Sequence, residues 1–254
     1  MADLTIIILA KNEGSNIEEA VRNGRQCTDD VLVIDSGSTD GTVELAERAG
    51  ARVVYRAWDD DFAAQRNFAL TQTEAKWVLY LDADERMDEK MCEHVRSIVS
   101  TGVAGQYAMV RHMVFDGFRF RHGIFAPDTV YRMFLRDTVT WVGKVHEHPE
   151  CHSSKQSLAG IVDHYTYESW HQWLQKADHY TSIWASESFE RGKRTTLSGA
   201  FCHAFFGGLR VLLVKAAFLD GWMGILSCGQ HAFYTMLKYV KLYELQHNAK
   251  KDIK

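Results

Sequence analysis

The chain has 254 residues, 46% hydrophobic and 24% charged, a balance that excludes a disordered or fibrous polymer and suffices for one substantial domain with an elaborated C-terminal part. Its formal net charge of -4 supplies no global field for gathering nucleic acid, so no nucleic-acid partner is expected. Five scattered cysteines, odd in number and without a CxxC pair, read as reduced thiols of a cytosolic protein.

From the N-terminus, Met1 leads directly into a strand-like run at Leu4 to Leu9, with no basic region, long apolar stretch or small-residue cleavage site, so no export signal is expected. Further strands are expected at Val31 to Ile34, Arg52 to Tyr55 and Trp77 to Leu81. Their near-continuous apolarity suits strands covered on both faces, and spacings of about 20 residues leave room for a crossover helix in each interval. These features predict an α/β half-domain over 1–104. Over 105–166 shorter, aromatic-rich segments follow, such as Gln106 to His112, Phe118 to His122 and Thr129 to Leu135, which read as mixed or antiparallel strands completing the sheet. From Glu168 onward strand signals fade, and Trp170, Trp173, Ala177, Tyr180 and Trp184 recur at helical spacing, so 167–254 is expected to be a helical extension on a domain of 1–166.

Three polar clusters each follow an expected strand: Lys11-Asn12-Glu13, then Asp35-Ser36-Gly37-Ser38-Thr39-Asp40, then Asp82-Ala83-Asp84. Ligands of open α/β sheets bind beyond the carboxyl ends of the strands, so the three should converge on one crevice. Ser38, Thr39 and Asp40 suit a loop and helix cap equally well. Asp35, at the end of a buried strand, needs a partner or a ligand, and a uracil or ribose contact is the expected role. In an extended segment Asp82 and Asp84 point to one side, and two close carboxylates repel unless a cation sits between them. A hard divalent ion, Mg²⁺ or Mn²⁺, would hold diphosphate oxygens at the same time. D-x-D alone is a weak signal; an aspartyl-nucleophile phosphatase also carries one, but wants Thr or Val where this chain has Arg86. GxxxxGK[ST] and GxGxxG are absent.

Taken together, Ala10-Lys11-Asn12-Glu13, Val33 to Thr42, Gln65-Arg66-Asn67 and Leu81 to Glu85 resemble glycosyltransferase family 2 in order and spacing. The resemblance implies a GT-A type nucleotide-diphospho-sugar transferase fold, with a mostly parallel central sheet flanked by helices and a helical C-terminal extension. It also implies a nucleotide-sugar donor, a divalent metal and inversion at the anomeric carbon. Carried over by position, Asn12 and Glu13 would line the nucleoside pocket, Asp35 would contact the base, Arg66 would meet the donor or order its pocket, Asp82 would sit near ribose and metal, and Asp84 would ligate the metal. Inversion needs a base opposite the leaving diphosphate. Val145-His146-Glu147 resembles the V-H-E motif of a lipopolysaccharide-core branch, which nominates Glu147 as base and His146 as a metal or diphosphate ligand. Asp116, Asp128 and Glu85 are competing bases, and His164 reads as a buried, hydrogen-bonded histidine outside the catalytic set.

From Phe201 to Tyr243 apolar stretches are interrupted by Arg210, Lys215, Asp220, Lys238 and Lys241, which disfavours a transmembrane span. Glu190 to Lys254 carries ten Lys or Arg against four Asp or Glu. That pattern suits an anionic membrane surface, and equally a helical bundle packed on the catalytic domain or forming a homodimer. Phe218 to Gly224 and Tyr239-Val240-Lys241 also resemble the core β-1,4-glucosyltransferases. By that resemblance the donor would be UDP-glucose, the acceptor an inner-core heptose of lipopolysaccharide, and the location the cytoplasmic face of the inner membrane. Other readings are a transferase for another glycan or glycolipid, a non-catalytic nucleotide-sugar-binding scaffold, and a nucleotidyltransferase.

Overall fold

A computed structural model describes residues 3–144, 147–167 and 169–251. The chain falls into two compact units, one comprising the described residues up to Arg111 together with Asp128–His164, the other His112–Pro127 together with the chain from Tyr165 onward. Residues 112–127, which the sequence boundary at 166 assigns to the catalytic half, thus group with the helical region.

The first unit opens with alternating strands and helices: β1 (Leu4–Ala10), α1 (Ile17–Gly24), β2 (Val31–Asp35), α2 (Thr42–Arg48), β3 (Arg52–Tyr55), α3 (Phe62–Thr71) and β4 (Trp77–Tyr80). β5 (Glu85–Met87), α4 (Glu89–Thr101) and β6 (Gln106–Phe115) follow, the last running into the second unit, where it pairs with β7 (Phe118–Arg119). The first unit resumes with β8 (Asp128–Leu135), β9 (Val139–Val142), β10 (His148–Cys151), β11 (Lys155–Ser157) and β12 (Val162–His164). The main sheet runs β3-β2-β1-β4-β8-β6-β12-β5. β3, β2, β1 and β4 are mutually parallel, whereas β4–β8, β8–β6 and β12–β5 are antiparallel. The sheet is therefore mixed, with its parallel part confined to the first four strands.

The apolar strands behave as two-sided burial requires. Ile6, Ile8, Val31, Val33, Trp77 and Leu79 face the core beneath α1 and α4, while Ile7, Leu32, Ile34, Val78 and Tyr80 face the one beneath α3 and β9. Alternate residues point to opposite faces, so a strand buried on both sides has no polar phase.

The second unit is built on α5 (Trp170–Glu190), α6 (Leu197–Leu209) and α7 (Gly221–Lys251). The buried stripe of α5 is Trp173, Ala177, Thr181, Ala185 and Ser188, not the aromatic series: Tyr180 is 56% exposed and Trp170 38%. A line at steps of four and three holds one face along the helix, and small residues on it let α7 approach, where Lys241 Nζ bonds Asp178 Oδ1 (2.7 Å) and Thr181 Oγ1 (2.9 Å). Leu197–Val214 is long and apolar enough to cross a bilayer, Arg210 being its one charged residue, and only 17% of it is buried.

Candidate active site at the carboxyl ends of the parallel strands

The strand order β2-β1-β4 sets the three polar clusters side by side. The first two are stitched together by hydrogen bonds. Asn12 takes the left-handed conformation (φ 56°), which Asn tolerates better than most residues, and so aims both amide groups across the gap. Its backbone N–H donates to Ser38 Oγ (2.8 Å) and its Oδ1 accepts from Thr39 N (2.9 Å); Glu13 N donates to Thr42 Oγ1 (2.8 Å) and Gly14 N to Asp40 Oδ2 (2.9 Å). Asp35, 4% exposed, accepts the amides of Gly37 (2.9 Å) and Ser38 (3.2 Å) on Oδ2. Its carboxylate is thus partnered by its own loop.

Beside these loops lies a cleft lined by Leu9, Ala10, Lys11, Glu13, Ser36, Trp58, Phe62 and Gln65. Trp58 and Phe62 meet edge to face at 4.6 Å, and Lys11 Nζ stands 5.9 Å from the Trp58 ring centre. Gln65 belongs to the Gln65-Arg66-Asn67 run noted in the sequence, whereas Trp58 and Phe62 are not marked there, because an aromatic near a helix start carries no sequence signal of a binding wall.

α3 turns successive residues through about 100°, and Gln65-Arg66-Asn67 uses this to grip three separate segments. Gln65 donates to Ser36 Oγ (3.0 Å) and Arg56 O (3.1 Å), leaving its buried Oε1 without a partner among the described residues. Such an acceptor, on a cleft wall, invites a ligand N–H or a water. Asn67 clamps the backbone of Trp141 from both sides, at 2.8 and 2.9 Å. Arg66, 4% exposed, bonds Asp82 Oδ1 (3.2 Å) and Glu147 Oε1 (3.3 Å), with its guanidinium 4.7 Å from the Trp141 ring centre. Burial and the neighbouring Arg132 charge lower its affinity for the proton.

Asp82-Ala83-Asp84 is a turn rather than an extended segment, closed by Glu85 N donating to Asp82 O (3.0 Å). The expected convergence of the two carboxylates gives way to a division. Asp82 Oδ2 accepts from Arg132 (2.8 Å) and Oδ1 from Arg66, with Arg111 4.0 Å away. Burial alone would raise the Asp82 carboxyl, but Arg132, Arg66 and Arg111 outweigh it and hold it well below the usual range. Glu85, wholly buried, accepts from Asp82 N and Arg111 Nη1 (both 2.9 Å), and burial with the nearby Asp82 charge pushes its carboxyl upward. Asp84 turns instead to His164, Oδ2 to Nε2 at 3.2 Å. The cause is strand register: β12 pairs antiparallel with β5 so that His164 lies opposite Glu85. Burial would lower the His164 imidazole, but the Asp84 carboxylate overrides it and raises it.

The structure thus brings Arg66, Asp82 and Glu147 into one network and sets Asp84 against His164, a residue the sequence reading left aside. It adds Arg132 and Arg111, whose positions on β8 and β6 no local pattern announced. Among the competing bases, Glu85 is buried and engaged, Asp128 is held by the Arg111 fork at 2.6 and 3.0 Å, and Asp116 belongs to the other unit. Val145 and His146 lie outside the described residues. No group of three or more His, Cys, Asp or Glu poised to hold a metal occurs among the described residues. Asp84 is nevertheless a partly exposed carboxylate, and a Mg²⁺-like ion is often held by only one or two protein carboxylates, with substrate phosphates and water completing its shell; His164 would join it on giving up the proton it shares with Asp84. The donor set fits such an ion.

A parallel βα half-sheet joined to antiparallel strands, with acidic and basic side chains gathered beyond the ends of β2, β1 and β4, is the framework of a GT-A glycosyltransferase. The profile of the family described as "Glycosyl transferase family 2" matches residues 5–159, and the chain belongs to that family. An uncharacterised glycosyltransferase of Rickettsia typhi is 26% identical over 258 residues, covering 96% of this chain and 88% of the relative. A lipopolysaccharide core biosynthesis glycosyltransferase of Rhizobium meliloti is 24% identical over 252 residues, covering 95% and 92%. Among solved structures, a mannosyltransferase of Pyrobaculum calidifontis in complex with GDP-mannose and Mn²⁺ matches in fold with a TM-score of 0.50, at 17% identity, covering 95% of this chain and 87% of that one.

Proposed function

We propose that this glycosyltransferase transfers glucose from UDP-glucose, with inversion, to a heptose hydroxyl of the lipopolysaccharide inner core, on the cytoplasmic face of the inner membrane. The observation that carries the reading is the division of labour in the D-x-D turn, with Asp82 fixed by arginines and Asp84 directed at His164. The fold neighbour is described in complex with a nucleotide sugar and Mn²⁺, and the Rhizobium relative is named for core biosynthesis, which supports the choice of ligand classes to test first.

In this reading the nucleobase rests between Trp58 and the loops of Asn12, Glu13 and Asp35, with the Gln65 carbonyl facing it. Asp84 and His164 would hold Mg²⁺ or Mn²⁺, with Asp82 beside it on the ribose side. The metal, when bound, neutralises charge developing on the departing diphosphate. Glu147 takes the proton of the acceptor hydroxyl as the new bond to the anomeric carbon forms and the bond to the diphosphate oxygen breaks. Arg66 bonds Glu147 through Oε1, and Oε2 has no partner among the described residues, which leaves one oxygen for that proton. His146 would assist at the metal or diphosphate.

Calorimetric titration with a panel of UDP-, GDP- and CDP-sugars, with and without Mn²⁺, tests the donor assignment. Metal-dependent binding of UDP-glucose alone is expected; tight binding of another nucleotide sugar, or of none, overturns it. Glu147→Gln is expected to keep donor affinity and lower turnover at least 100-fold; unchanged turnover removes Glu147 as the base.

A further inference from the structure

Within the helical unit one corner turns its apolar side chains outward. α6 runs on into a π-turn at Arg210–Val214, and a 3₁₀ turn at Ala217–Asp220 leads into α7. Around it Leu213, Val214, Phe218, Leu219 and Trp222 are 58, 77, 50, 60 and 74% exposed, and Phe205, further back on α6, is 66% exposed. A contiguous patch of this kind marks an interaction surface.

The corner is held firmly. Asp220, 3% exposed, accepts the amides of Arg121 (2.9 Å) and His122 (2.8 Å) on Oδ2 and meets His122 Nδ1 through Oδ1 (2.7 Å). Gly123 N donates to Lys215 O (2.9 Å). At Gly224 a Cβ would lie 1.8 Å from the carbonyl oxygen of Ala217, so α7 can start against the turn only with glycine there. These contacts fix a backbone whose outward side chains gain nothing from water.

Charge identifies the occupant. Residues 191–219 contain Arg191, Lys193, Arg194, Arg210 and Lys215, all exposed, and no Asp or Glu. At the corner itself the exposed charges are Arg210 and Lys215, Asp220 being buried, and an apolar wedge flanked by such cations matches a bilayer with anionic headgroups above acyl chains. Depth follows from the polar side chains. Arg210 lies one turn before Leu213 and Val214, and α7 reaches Gln230 and His231 after the nine residues Gly221–Gly229, a rise of roughly 13 Å at 1.5 Å per residue. α6 packs against α7, Gly207 facing His231 and Thr235 and Gly208 facing Ala232. Crossing a core of about 30 Å would therefore drag His231 and Lys238 into hydrocarbon.

We propose that the corner Leu213–Trp222, with the outward side of α6, is a monotopic membrane wedge that seats in the headgroup and upper acyl region of an anionic bilayer. It rests on the membrane-face reading above for its setting, and deepens that reading by assigning the surface and its depth.

The test is flotation of the full chain with vesicles of phosphatidylethanolamine and phosphatidylglycerol (3:1) and of phosphatidylcholine alone. Binding to the anionic vesicles is expected, weakened by salt and by Lys215→Glu, and reduced at least tenfold by Leu219→Ser with Trp222→Ser. Brominated acyl chains should quench an emission component that Trp222→Phe removes. Since every altered side chain is exposed, an unchanged melting temperature verifies the fold of each variant. The wedge is overturned if the wild type does not float with anionic vesicles, or if the double variant floats equally well. Lipid-free self-association abolished by the double variant, without vesicle binding, overturns it in favour of a second copy of the chain. Transfer to a water-soluble core oligosaccharide separates the two readings: its failure with vesicle binding intact refutes the acceptor assignment alone, and its success without vesicle binding refutes the wedge alone.

Discussion

Replacing Arg66 by Met keeps length and apolar contact and removes the charge that ties Asp82 to Glu147. The two contacts, at 3.2 and 3.3 Å, each have a gross attraction of about 5 kcal/mol at an effective dielectric near 20. Most of that is offset by desolvating a side chain only 4% exposed. What is left behind therefore sets the loss. Asp82 keeps Arg132 at 2.8 Å, whereas Glu147 loses its partner but, at 17% exposed, can turn toward water. Removing one member of a buried pair costs about 3–5 kcal/mol, and these two reliefs bring the expectation to about 2–3 kcal/mol. Urea denaturation should report it as a lower midpoint at unchanged slope. Glu147→Gln alone should cost under about 1 kcal/mol, and the double variant should destabilise by less than the sum of the two, because the same bond is lost in both. A loss below about 0.5 kcal/mol in Arg66→Met, or strict additivity, would refute the claim that this network is held through Arg66.

Three further outcomes follow from the same geometry. Asp84→Asn should unfold within about 1 kcal/mol of wild type, since Asp84 is 29% exposed and paired with His164, yet lose Mn²⁺-dependent donor affinity at least tenfold by calorimetry; retained metal dependence would move the site elsewhere. Trp58→Ala should weaken UDP binding by about 1–2 kcal/mol, the worth of one base on an aromatic face, and an unchanged Kd would remove the cleft from the donor site. Burial works to raise the Asp220 carboxyl, but its bonds from His122 and from the amides of Arg121 and His122 hold it below its usual value. A depressed folded pKa means stability that is present above the unfolded value, near 4, and lost as pH falls through the folded one. Asp220→Asn should therefore cost about 2 kcal/mol at pH 7 and progressively less below pH 4; a constant difference in denaturation midpoint down to pH 3 would exclude the charged form as the stabilising species.

The amino-acid sequence by itself determined the parallel strands and the polar turns after them, because each rests on local chemistry. A strand buried on both faces must be almost wholly apolar, as Ile6–Ala10 and Val31–Ile34 are, and a chain leaving such a strand can place polar groups only at its end, as at Asp35. The clusters at Asn12, Asp35 and Asp82 were legible for that reason. Tertiary structure alone decided the partners. His164 reaches Asp84 across 80 residues through the register of β12 on β5, and Arg111 and Arg132 reach the D-x-D turn from strands whose sequences show no binding pattern. Likewise Tyr180 and Trp184 share helical spacing with Trp173, yet the buried line runs through Thr181 and Ala185, because the face that packs is chosen by the neighbouring helix rather than by the size of the side chains on α5. Local periodicity states that a face exists, while long-range pairing states which residues it meets.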